Sequence, residues 1–212
     1  MPGRTTIYSS LVLCSVVAAA CGGAPDEDAS DAPMTETAAA SELECFLRGS
    51  TLDETQQRPS PLRTTEIELG SGSGLLCYGA PSANGRDVMG STLVPYGAPW
   101  RLGANEATAL HLDTPANVGG VALQPGSYSL YVVAGESEWQ FFVNTSWERW
   151  GIPIDASVRS SEAGSFTATP EQIQDTVETL TLRFEPATGG SGGRIVMEWE
   201  NTRVAFPVSA GG

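Results

Sequence analysis

The chain has 212 residues and a formal net charge of −14, with 25 acidic side chains against 11 basic ones, all of them arginine. That length gives room for one domain of ordinary size. So acidic a balance argues against the basic patch that nucleic-acid binding needs, and against electrostatic attachment to anionic lipid head groups.

Residues 1–20 have the layout of a signal peptide. Arg4 supplies the positive start, Ile7 to Ala20 is uncharged and largely apolar, and Ala18, Ala19 and Ala20 precede Cys21. The apolar stretch is too short to hold a bilayer span. Small residues followed directly by cysteine resemble the lipobox of bacterial lipoproteins, with Ala18 where leucine is usual. The expectation is export and lipidation of Cys21, which becomes a membrane anchor; ordinary secretion with cleavage nearby is the alternative. Gly22 at the next position implies, by the same resemblance, the outer membrane, on its periplasmic or surface face. Residues 21–44 carry Asp26, Glu27, Asp28, Asp31, Glu36 and Glu42 without a basic residue. Such a composition cannot bury enough apolar surface to fold, so an acidic disordered tether is expected.

Of four cysteines, Cys14 leaves with the signal peptide and Cys21 is lipidated, so Cys45 and Cys77 remain in an oxidising compartment. A disulfide that pins the lead-in of the domain to an early strand is expected; two buried free thiols are the alternative. Two cysteines and one histidine lack zinc-ligand spacing, so neither a metal nor any other cofactor is expected.

Residues 45–210 read as an all-β domain. Apolar side chains alternate with polar ones at Thr65, Ile67 and Leu69, at Leu110 and Leu112 around His111, and at Tyr128, Leu130 and Val132. The pattern continues through Trp139, Phe141 and Val143, then Leu180, Leu182 and Phe184, then Ile195, Met197 and Trp199, and it closes with Val204, Phe206 and Val208. One apolar face per strand predicts an antiparallel β-sandwich of eight or nine strands. Gln124-Pro125-Gly126 fits a type II turn, Gly119-Gly120 and Asn201-Thr202 suit short connectors, and Gly189 to Gly193 suits a hairpin loop. Single helical turns are expected in 146–151 and 170–175.

The densest segment lies between the strands near Tyr78 and Leu110. It reads YGAPSANGR over 78–86 and LVPYGAPWRLGANEAT over 93–108, followed downstream by LQPGSYSL over 123–130 and MEWENTRV over 197–204. These runs resemble the exported bacterial DUF2911 family, a domain of unknown function, over about residues 58–208. Met197 stands where the pattern has leucine. The resemblance implies the domain limits and no assigned activity.

Within the segment, Arg86, Arg101, Asn105 and Glu106 could converge on a polar ligand, and Tyr96 and Trp100 could stack on a sugar or an aromatic group. The competing reading is structural. A long crossover must satisfy its backbone without a ladder, and Arg–Glu pairs, asparagines and a plugging tryptophan would do that. An Arg101–Glu106 ion pair is the specific structural expectation. His111 reads as a surface residue, Glu198 and Glu200 read as a solvated face, and Trp147 and Trp150 read as core plugs before a sugar platform. No G-x-S-x-G elbow occurs. The expected function is a non-catalytic binding or interaction module of the cell envelope, tethered by lipid, with an envelope glycan or protein as its partner and no nucleic acid. The rival is a hydrolase of envelope or extracellular polymer that uses Glu106 or Asp87 as acid or base.

Overall fold

A computed structural model describes residues 43–211. The expectations for the signal peptide, for Cys21 and for the tether up to residue 42 lie outside the described residues. In chain order the elements are α1 (Leu52–Gln56), β1 (Leu62–Leu69), β2 (Gly72–Gly79), β3 (Pro99–Trp100), β4 (Ala104–Leu112), β5 (Ala116–Val118), β6 (Val121–Leu123) and β7 (Gly126–Val133). They continue with β8 (Trp139–Asn144), α2 (Ala156–Arg159), β9 (Glu162–Ala168), β10 (Pro170–Pro186) and β11 (Gly192–Ala210). Two antiparallel sheets result. The larger runs β1-β2-β4-β7-β8-β9, with β3 also paired to β7, and the smaller runs β10-β11-β5-β6. The β-sandwich therefore forms as the alternation requires. The eleven strands among the described residues exceed eight or nine because β3, β5 and β6 are only two or three residues long, too short for a period of two to be legible.

The core lies between the sheets. Ile67, Leu76, Leu110, Leu130 and Phe141 come from the larger sheet, and Leu182, Met197, Trp199 and Phe206 come from the smaller. Phe141 stacks on Phe166 at 5.2 Å, and both rings lie 5.0 Å from Phe206. Each such buried side chain contributes about 1.5–3 kcal/mol. Tyr78 joins the sheets at their edge: its hydroxyl accepts from Leu182 N at 3.0 Å and lies 3.3 Å from Leu182 O, standing in for a ladder partner of β10. The Cys45–Cys77 disulfide ties the lead-in to β2, with Cα atoms 5.8 Å apart.

Turns follow the sequence in part. Gly119 and Gly120, with φ of 59° and 96°, join the paired Val118 and Val121, the positive-φ geometry of a two-residue type I′ hairpin. The Gly-rich loop closes the β10–β11 hairpin, where Ala187 N donates to Gly192 O. Gly126 has φ of 148°, so the β6–β7 connector is not the type II turn expected of Pro-Gly.

Asn201-Thr202 is no connector, because β11 runs through it. Glu200 has φ of 51° there and the β10–β11 register shifts nearby, so the strand bends instead of ending. Neither expected helical turn forms. Residues 146–151 are loop, and Pro170 to Gln172 pair with Val204, Arg203 and Thr202. The two helices form where caps favour them, at a Thr51–Glu54 capping box and at Asp155, whose carboxylate accepts from Ser157 N and Val158 N.

The outer face of the larger sheet is also covered. His111 is 3% exposed, against the surface position expected of it. Trp147 meets its ring edge-on at 5.1 Å, and Phe46 meets Trp147 at 6.1 Å. The lead-in and the 145–151 loop thus make a second, smaller apolar layer, and both tryptophans of that loop are committed: Arg48 sits 5.3 Å over Trp150. Glu198 is not a freely solvated carboxylate either. It accepts from Arg183 and from Arg203, whose Nε lies at 2.6 Å, and Glu200 accepts from Met89 N at 3.2 Å.

Candidate functional site

The long crossover from β2 to β4 folds back on the edge of the smaller sheet before it re-enters the larger one. Ala83 N donates to Glu178 O, Leu180 N donates to Pro81 O, and the hydroxyls of Ser82 and Thr179 lie 2.7 Å apart. Val88 and Val94, both fully buried, pin the middle of the crossover. Gly97 N then donates to Ala134 O, and β3 pairs with Val132 and Val133. This route carries Trp100 under the crossover. Its ring is 6% exposed, stacks on Trp199 at 6.0 Å and meets Trp139 edge-on at 6.2 Å.

After Trp100 the backbone takes an unusual path, with φ of 54° at Leu102 and 64° at Asn105. Non-glycine residues adopt such angles only when their surroundings over-determine them. Leu102 is fully buried and its carbonyl accepts from Thr108 Oγ1 at 2.9 Å. The Asn105 side chain donates to Ser60 O at 2.8 Å, and the Asn105 backbone carbonyl accepts from Gly151 N. The kink separates neighbouring side chains. Glu106 turns away to accept from Arg58 Nη1 at 3.0 and 2.7 Å, and Arg101 stays on the other side. The expected Arg101–Glu106 pair does not form. Arg58, which the sequence gives no reason to single out, is the partner, because the chain reversal after α1 brings it over β4.

Between the crossover and the sandwich end lies a cleft of about 360 Å³. Leu93, Pro95, Pro99, Trp100, Ile152 and Trp199 form its apolar wall. Its polar side chains are Ser60, Thr92, Arg86 and Arg101, with no carboxylate among the described lining residues. Arg86 is exposed, its Nε and Nη2 donating to Ala83 O and Ser82 O at 2.7 Å. Arg101 is half-buried and makes one bond, from Nε to Gly103 O at 3.2 Å. Burial holds its guanidinium pKa below the ordinary value.

Three of the six residues singled out from the sequence, Arg86, Trp100 and Arg101, thus share the cleft, and the other three do not. Tyr96 is 42% exposed and lies against Gly90, Asn105 braces Ser60, and Glu106 holds Arg58. Asp87 is exposed and outside the lining. The sequence reading missed Leu93, Pro99, Ile152 and Trp199. The first two sat inside the 93–108 run and Trp199 inside the 197–204 run, whereas Ile152 lay in no quoted run and reaches the cleft only through the fold.

Together these features define an antiparallel β-sandwich with a small apolar cleft, edged by arginine, beneath its longest crossover. The family model described as "Protein of unknown function (DUF2911)" matches residues 60–208, and the chain belongs to that family. No curated protein and no solved structure matches the chain.

Proposed function

We propose that this protein is a non-catalytic binding module of the cell envelope, held by lipid at Cys21, whose ligand occupies the cleft beneath the 80–103 crossover. The carrying observation is Arg101. Its guanidinium is half-buried at the cleft, four of its five N–H donors have no partner in the described protein, and these donors are not sealed from solvent, so a ligand can reach them without breaking a bond of the fold. The aromatic and proline wall beside it offers rigid apolar area, the usual make-up of a small-molecule site with a few fixed polar groups. The rival hydrolase reading has less support. Glu106 is committed to Arg58, and Asp87 lies outside the cleft.

The test is a thermal-shift screen of the purified chain against envelope glycans, peptidoglycan fragments and small metabolites, run in parallel on Arg101→Gln. A stabilising compound that loses its effect in the variant is expected. Hits that stabilise both proteins equally would remove the cleft from the proposal.

A further inference from the structure

Resting on the cleft as the binding site, we infer that its ligand is an organic anion: a carboxylate or phosphate monoester joined to an apolar body that lies along Trp100, Leu93 and Pro95, with Arg101 gripping the anionic end and Arg86 flanking it.

Charge distribution carries the argument first. The chain has more than twice as many acidic as basic side chains, and five arginines, 58, 159, 183, 194 and 203, form ion pairs. In so acidic a molecule, a cleft whose charged lining is two arginines and no carboxylate is an electropositive island.

A comparison within the molecule carries it second. Burial depresses the guanidinium pKa of two arginines, Arg101 and Arg149. Arg149 is satisfied by the fold: Nε donates to Ser146 O, Nη1 to the Trp150 and Gly151 carbonyls, and Nη2 reaches Ser129 Oγ. That is a bracing arginine. Arg101, equally desolvated, lines the cleft and uses only Nε, so neither Nη group has a partner among the described residues. Two free Nη groups in a planar fork match the paired oxygens of a carboxylate or phosphate, a fit that a single hydroxyl or amide ligand does not offer.

Support for the fork carries it third. A Cβ on Gly151 would collide with Arg101 Cδ, lie 3.2 Å from Arg101 Cβ and lie 3.0 Å from Asn105 O. The stem of Arg101 therefore lies flat on the backbone of Gly151, which is itself fixed by its bond to Asn105 O. A charged side chain held by packing, not by a counter-charge, is pre-ordered for an incoming anion and loses little freedom on binding it.

The experiment titrates the purified full chain with phenylacetate, phenyl phosphate and the neutral phenylacetamide, reading backbone amide shifts at 86, 101 and 151 by NMR. At least one anion should bind tenfold or more tightly than phenylacetamide, and the ranking of the two anions separates carboxylate from phosphate. Arg101→Gln should bring that anion down to the affinity of the amide, and Arg101→Lys should recover only part of it. Gly151→Ala should weaken the anion at least threefold. Cleft shifts with equal affinity for amide and anions would overturn the anion assignment and leave the cleft as the binding site. No cleft shifts with any of the three would overturn both.

Discussion

At the scale of single residues, the structure gives the ion pair expected of Arg101 to Arg58. Arg58 and Glu106 have side chains 22% and 12% exposed and make two bonds to each other. Removing one partner leaves the other partly desolvated and unpaired, so Arg58→Ala and Glu106→Ala should each lower stability by about 1–3 kcal/mol, with the double variant costing less than their sum. Arg101→Gln removes no ion pair and should stay within about 0.5 kcal/mol of wild type. Chemical denaturation of the four variants against wild type checks this, and an Arg101→Gln loss as large as that of Arg58→Ala would return Arg101 to the structural role. His111 gives a pH signature. It is the only histidine in the chain, its Nδ1 lies 2.8 Å from Ser127 Oγ, and its buried Nε2 has no partner. Burial lowers its folded pKa below the ordinary value, so the unfolded chain binds the proton more readily. Stability should therefore be level above pH about 6.5 and fall as the pH drops below it, and His111→Gln should flatten the curve between pH about 6.5 and 5. Identical melting curves for both proteins across that window would contradict the assignment.

At the scale of elements, faces explain where alternation misled. The inward face of β4 carries Leu110 and Leu112, but the outward face carries Ala109 and the buried His111. The outward residues Ser129 and Tyr131 of β7, and Phe142 and Asn144 of β8, are also uncharged and buried. A polar face without charge was therefore the legible sign of a covered face, and β1, with exposed Glu66 and Glu68 outward, shows the solvated alternative. Over His111 the cover is the lead-in at Cys45 and Phe46 together with the 145–151 loop, and over β8 it is α2, where Val158 O accepts from Asn144 and Arg159 sits over Phe142. The attachment of the lead-in is the disulfide, which closes a loop of 32 residues. Reduction should cost about 2–5 kcal/mol, mostly by freeing the unfolded chain, and should raise amide exchange first around residues 45–47 and His111. Denaturation midpoints with and without reductant, alongside hydrogen exchange, measure this; unchanged exchange at His111 would show that the loop holds the cover unaided.

At the scale of the whole molecule, the acidic balance and the proposed anchor act together. A chain of this net charge is repelled by anionic head groups, so the proposed membrane attachment rests on the lipid at Cys21 and not on the protein surface. Cys21→Ser should move the protein from the membrane fraction to the soluble fraction and abolish labelling by an alkyne fatty acid. A variant that still labels and pellets would end the lipoprotein proposal.

What the sequence determined by itself is the part governed by local rules. Period-two alternation specified strands and their core faces, the two oxidisable cysteines specified a disulfide, Gly119-Gly120 specified a tight hairpin, and the 78–108 motif specified the family. Only the tertiary structure decided which partners meet. Glu106 took Arg58, 48 residues away, over Arg101, five residues away, whose Nε turns instead to Gly103 O, and the backbone between them passes through positive φ at Leu102 and Asn105. Pro170 to Gln172 became strand because β11 was there to pair with, and Ile152 and Trp199 joined Arg101 because sheet packing and the 145–151 loop carried them to it. Backbone periodicity is written in neighbouring residues, whereas a cleft is made by segments far apart in the chain, and their meeting depends on the whole fold at once.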